Sequence, residues 1–175
     1  MEHTTMTAPT TRLYQHHYES PVGTLYIAVN RAGSLVRLAY GPTEWPEEVR
    51  VEENPYACGE VELQLDEYFR GDRTRFSLDV QMVGTDFQRS VWARLLKLSY
   101  GSCISYGELA KKVGRQGAAR AVGNAVAANP AVIVVPCHRV VPTHGGIGNY
   151  GKRSLAEEDG KRIKRFLLDM EAKER

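Results

Sequence analysis

Five consecutive apolar residues, Ala131-Val132-Ile133-Val134-Val135, run straight into Pro136, Cys137, His138 and Arg139. Few folds accommodate that junction. The β-branched run reads as a fully buried strand or extended segment. A thiol, an imidazole and a guanidinium placed directly after it are costly to bury, unless the segment emerges into a pocket. In an extended segment adjacent side chains point opposite ways. Cys137 and His138 then couple only through a bridging water or a local turn after Pro136. Nearby positive charge or a hydrogen-bonded base would depress the thiol toward thiolate. The plain alternative is a buried inert cysteine. That reading is preferred for Cys58 and Cys103, whereas the flanking Pro136, His138 and Arg139 favour a reactive Cys137.

The chain has 175 residues, 42% apolar and 25% charged, enough for a core in one or two small domains. No apolar run approaches the roughly 18–20 residues of a membrane helix. Residues 1–11 are Thr-rich and read as a disordered tail or the remnant of a tag, with no apolar stretch after them to make a secretory signal. Three scattered cysteines make no disulfide framework, so a reduced compartment is expected: the cytoplasm, or the nucleus in a eukaryote. The net charge of +2 hides an asymmetry, with −6 on residues 1–85 and +8 on residues 86–175. Between Arg89 and Arg139 there are 8 Lys/Arg and one acid, Glu108. A stretch so one-signed favours a polyanion, nucleic acid first, over a basic surface with no partner.

Tyr14 to Tyr18, Leu25 to Asn30 and Leu35 to Tyr40 read as strands separated by turn chemistry. Gly41 to Asn54 reads as a loop. Val61, Leu65, Tyr68 and Phe69 recur at helical spacing up to a capping Gly71, and Phe76, Leu78 and Val80 alternate like a strand. His16, His17 and Cys58 lack a recognisable ligand spacing, so no metal is expected.

The character changes near Val83-Gly84-Thr85-Asp86, where Thr85 or Asp86 can cap a helix with Phe87, Val91, Leu95 and Leu98 on its apolar face. Ser105 offers an N-cap to a helix over Tyr106–Val113, with Glu108 completing a capping box. After a Gly-containing turn a second helix spans Ala118 to Ala128 and stops at Asn129-Pro130. This pair is a helix-turn-helix candidate. Its second helix is nearly all small residues, with Arg120 the only charge. Major-groove readers need several long polar side chains. Small residues instead allow the close approach of a minor-groove contact, with Arg120 entering the base stack. A tightly packed core helix with Arg120 on the surface fits the composition equally well.

Gly145, Gly146, Gly148 and Gly151 form a loop able to wrap a flat ligand with backbone amides. Ile163, Phe166, Leu167 and Met170 then stripe a last helix bordered by Glu171, which could reach inward to orient a histidine. The fold class expected is α/β (α+β). A small N-terminal α/β module with a short antiparallel sheet spans residues 12–82, and a mainly helical domain containing the helix-turn-helix spans 83–175.

Phe87-Gln88 with Val91-Trp92, Ser105 to Ala110, Ala118 to Gly123, Asn129-Pro130, Val135 to Val141 and Gly148-Asn149-Tyr150 together resemble the O6-alkylguanine-DNA alkyltransferases. Lys164, Leu167-Leu168 and Glu171 are similar to that family's closing helix. The resemblance implies irreversible, stoichiometric transfer of an alkyl group, typically methyl, from O6 of guanine and also O4 of thymine to Cys137. It implies nucleotide flipping into a minor-groove-bound monomer on double-stranded DNA, with no cofactor, no metal and no membrane. His138 would take the thiol proton through a water, Glu171 would hold the imidazole, and Asn129 would fix the active-site turn. Tyr106 would donate to the flipped guanine and help rotate its phosphate, and Arg120 would fill the gap in the stack. The Cys137 and Val140 carbonyls would read the guanine amine. The Gly151 amide, with Tyr150 nearby, would meet O6. Ser105, Ala118, Ala119 and Gly123 would lie against the DNA. The 21 positions from Tyr150 to Glu171 exceed the family's usual spacing, and Ala156 to Lys161 are expected to form a loop at the pocket mouth. Two other classes compete: a non-catalytic DNA-binding regulator with Cys137 as sensor, and a cysteine hydrolase using Cys137 and His138.

Overall fold

The computed structural model describes residues 11–173. The tail expected for residues 1–11 lies outside them except for Thr11, which opens a strand. Strands β1 (Thr11–Ser20), β2 (Gly23–Asn30), β3 (Leu35–Ala39) and β4 (Val49–Glu53) form a sheet in the order β3-β2-β1-β4. The three strands expected from sequence pair antiparallel, but β4 runs parallel to β1 within the segment read as a loop. Only Val49 and Val51 carry its β signal, between charged residues suited to an exposed edge.

Helix α1 (Pro55–Phe69) starts at Asn54, whose Oδ1 accepts from the Ala57 amide at 3.1 Å. It ends as expected at Gly71, where a φ of +81° lets the amides of Gly71 and Asp72 reach the Tyr68 and Glu67 carbonyls. Cys58, Val61, Leu65 and Tyr68 are its buried apolar residues and join the core with the sheet. Residues 76–80 make no strand of their own. Val80 bridges Leu35 at one end of the free β3 edge, and Ala131 bridges Leu38 at the other. That edge, where an unpaired row of amides would otherwise be exposed, is therefore covered at one end by the first half's own closing segment around Val80 and at the other by Ala131 of the second half.

Helix α2 (Asp86–Leu95) carries a complete Thr85–Gln88 capping box, so Thr85 rather than Asp86 is the cap. Val91 and Leu95 are buried as expected, while Phe87 and Leu98 are only partly covered. Trp92 Nε1 donates to the Ala125 carbonyl at 2.8 Å, tying α2 to helix α4 (Ala119–Ala127). A two-residue strand β5 (Ile104–Ser105) leads into α3 (Tyr106–Lys112), opened by the Ser105–Glu108 capping box, and β5 pairs with β6 (Val140–Val141). Helices α3 and α4 are joined by a turn with Gly114 and Gly117 both at positive φ.

Residues 131–135 are buried or nearly so, yet they are not a strand. The chain coils on itself, Val135 N to Ala131 O at 2.9 Å, with Ile133 at φ +71°. A β-branched residue there costs about 1–3 kcal/mol, and burial plus Asn129 hold it in place. The last helix, α5 (Glu157–Lys173), also departs from expectation. Residues 157–161 are its first turn, not a loop, and the irregular segment is 152–156. Its buried face is Gly160, Ile163, Lys164, Leu167 and Glu171, whereas Phe166 is 41% exposed. A Cβ at Gly160 would lie 2.0 Å from the Tyr150 carbonyl oxygen, so only glycine lets α5 rest against that backbone. No helix among the described residues is long and apolar enough to cross a membrane.

Candidate active site

Cys137 opens a single 3₁₀ turn, Cys137–Arg139, the local turn needed after Pro136. Asn129 builds the approach to it. Its Nδ2 donates to the Val135 carbonyl at 2.7 Å, and its Oδ1 accepts from the Ala131 amide at 2.9 Å. One side chain thus clamps both ends of the coiled segment that delivers the thiol.

Below the turn lies a fully buried carboxylate. Glu171 Oε1 meets His138 Nε2 at 2.7 Å, the Tyr68 hydroxyl at 2.7 Å and Arg139 Nη2 at 2.9 Å. Oε2 accepts from Arg139 Nε at 2.9 Å and from the Gly101 amide at 3.1 Å. Burial alone would raise this carboxyl, but the bonds from His138 and Arg139 outweigh it and hold Glu171 well below the usual carboxylate range. Facing a carboxylate, His138 Nε2 carries the proton. Its Nδ1 is buried and finds no partner among the described residues. Burial lowers the His138 pKa against the pull of Glu171, so the ring is neutral near pH 7 and Nδ1 is a free base.

Sequence reasoning expected a thiol depressed toward thiolate. The direction is the opposite: burial pushes Cys137 up, and neither Asn129 nor Lys164 reverses it. The resting group is a thiol. Lys164, buried on α5, donates to the Val140 carbonyl at 2.6 Å, and burial lowers its ammonium to about 8.

Cys137 opens on a cleft of about 630 Å³ shared by Tyr106, Ala119, Arg120, Gly123, Asn129, Tyr150 and Gly151. Tyr106 lies against Gly123, where a Cβ would be 3.7 Å from its ring. Arg120 is exposed at the rim and makes no ion pair among the described residues. Tyr150 is buried with its hydroxyl 2.9 Å from that of Tyr40 on the sheet half. Ser105 and Ala118 lie outside the cleft lining, at the N-caps of α3 and α4. His138, Val140 and Glu171 sit behind its floor. Sequence reasoning did not find Tyr68 and Tyr40, because their signals were those of ordinary core aromatics. Elsewhere, ligand atoms of His16, His17 and Glu53 gather within 4.8 Å, while Cys58 bonds instead to the Tyr14 carbonyl.

Residues 86–173 match the DNA binding domain of the 6-O-methylguanine DNA methyltransferases, and residues 13–82 match their ribonuclease-like domain. A methylated-DNA–protein-cysteine methyltransferase of Mycobacterium leprae is 43% identical over 135 residues, 76% of this chain and 81% of its own. One from Methanosarcina acetivorans is 36% identical across 91% of this chain and 98% of its own. The crystal structure of Mycobacterium tuberculosis OGT in complex with DNA superimposes with a TM-score of 0.81 at 37% identity, covering 92% of this chain and 94% of that one. With both halves matched and relatives of this similarity spanning most of its length, the chain belongs to the 6-O-methylguanine DNA methyltransferase family.

Proposed function

We propose that this protein repairs DNA by moving an alkyl group from O6 of guanine irreversibly onto Cys137. The observation that carries the assignment is a thiol opening on a cleft, followed directly by a histidine whose far nitrogen is locked by a buried carboxylate. Sγ attacks the alkyl carbon in line as the carbon–O6 bond breaks. The thiol proton passes through a water to Nδ1 of neutral His138, and guanine leaves as an anion that is then protonated. Glu171 keeps Nε2 protonated and steadies the imidazolium as it forms. The thioether has no easy route back, so each molecule reacts once without a cofactor. O4-alkylthymine offers the same alkoxy carbon.

The remaining roles belong to the same reading. Asn129 fixes the turn. Tyr106, Gly151 and Tyr150 line the space a flipped base would enter, and the Cys137 carbonyl reads its amine together with the Val140 carbonyl, which lies behind the floor and is shared with Lys164. The narrow face of α4, Ala118, Ala119 and Gly123 with Ser105 beside it, suits the minor groove of double-stranded DNA, and Arg120 fills the vacated stack. The reading requires one protomer and places it in the cytoplasm, or in a nucleus. Residues 12–82 serve as the sheet module and 83–175 as the DNA-binding and transfer module.

The test is incubation with duplex carrying labelled O6-methylguanine. Repair moves at most one equivalent of label to the protein, and C137S takes none. Binding without transfer would mark a regulator, and repeated turnover a hydrolase; either overturns the proposal.

A further inference from the structure

The polar groups used above leave one conspicuous pair unexplained. Arg37, on β3, has its Nε buried without a hydrogen-bond partner among the described residues. The charge that bears on it is another cation, Arg153, in the turn after Gly151, and both line a small cavity of about 30 Å³. That cavity shares Ala127, Asn129, Val132 and Gly151 with the walls of the thiol cleft, so the two openings adjoin. Among the described residues neither arginine forms an ion pair, and no Asp or Glu lines either cavity; Arg37 also borders a separate opening that holds Glu53, whose carboxylate is taken by His16 at 2.6 Å. Burial, and then the charge of Arg153, lowers the Arg37 pKa. Arg37 is half-buried and Arg153 exposed, and like charges on two sides of one small opening make it a favourable place for an anion. A fork of N–H donors fits the oxygens of a phosphate.

We propose that Arg37 and Arg153 form a clamp for a backbone phosphate of the DNA, outside the helix-turn-helix. The clamp rests on the repair reading, which brings a duplex to the adjoining cleft. It gives the acidic half of the chain a part in binding: β3 supplies one jaw, and the extended Tyr150-to-Glu171 segment supplies the other. Lys152, which lines the cleft beside Arg153, extends the same positive rim toward Arg120.

The experiment measures affinity for an undamaged duplex over a salt series. Each phosphate neutralised contributes about 0.9 to the slope of log affinity against log salt. The double variant R37Q/R153Q should lower the slope by about 0.9 and weaken binding most at low salt. R31Q/R75Q is the control for lost charge alone: both residues are exposed, line neither cavity, and should leave the slope unchanged. Thermal unfolding of R37Q/R153Q within a few degrees of the parent separates loss of binding from loss of fold. An unaltered slope in R37Q/R153Q, or an equal fall in the control, overturns the clamp. So does saturation of the parent's arginine pair by millimolar inorganic phosphate with no effect on duplex binding. If the parent protein takes label from O6-methylguanine while the slope is unaltered, the clamp alone has failed. If the parent takes no label, the repair reading beneath it has failed.

Discussion

Replacing Glu171 by glutamine keeps shape and removes charge from an acceptor that takes five bonds among the described residues. Its two oxygens serve His138, Tyr68, both faces of the Arg139 fork and the Gly101 amide, all at 3.1 Å or less. In E171Q one oxygen becomes an amide NH2 that must face donors. Arg139 keeps its charge but loses its counter-ion, with the one amide oxygen and the Leu98 carbonyl left as acceptors. Removing one member of a buried pair in this way costs about 3–5 kcal/mol. For a chain of this size that lowers Tm by about 10 °C, measurable by circular dichroism at pH 7. Y68F is the graded comparison: it deletes one bond to the same carboxylate but spares the ion pair, and should cost about 1.5–3 kcal/mol. The pH profile supplies a second reading. The folded-state pKa of Glu171 is depressed, so its contribution is complete above the ordinary value of 4.5 and is lost as pH falls below it. The parent should therefore lose stability on acidification faster than E171Q. A Tm shift under 3 °C, or parallel acid profiles, would refute the view that this carboxylate anchors the site.

N129A removes both bonds that clamp the coiled segment before the thiol, and should cost about 2–3 kcal/mol while slowing alkyl transfer more than DNA binding, as stopped-flow and gel-shift measurements would separate. R120A should slow repair of duplex much more than reaction with free alkylated guanine; equal losses on both substrates would remove its stack-filling role. G160A should lower Tm by several degrees, because the Tyr150 carbonyl cannot yield to a Cβ without moving the cleft wall or tilting α5.

Local signals were the most legible. The Ser105–Glu108 box and the Gly71 terminus depend on residues a turn apart, and each formed as its spacing indicates, whereas the choice of Thr85 over Asp86 as the α2 cap, and its Gln88 partner, came only from the structure. The β4 strand was hidden because an exposed edge strand is selected for charge as much as for β propensity. Apolarity at 131–135 predicted burial correctly and geometry wrongly. The segment coils through its own Val135–Ala131 backbone bond and is clamped by two bonds from Asn129, whose influence composition does not register. The thiol's environment was misjudged in sign, since flanking basic residues suggest a thiolate whereas the depth of the turn favours the neutral group. Tyr68 could not be tied to Glu171, 103 positions away, by any periodicity.

The covered edge of β3 bears on how this chain can be rebuilt. Leu38 exchanges backbone bonds with Pro130 and Val132, and Tyr68 reaches across to Glu171, so the acidic and basic halves are stitched at both main chain and side chain. A chimera that grafts the sheet of one relative onto the helices of another must carry these matching pairs together, or it inherits a frayed seam beside the reactive sulfur.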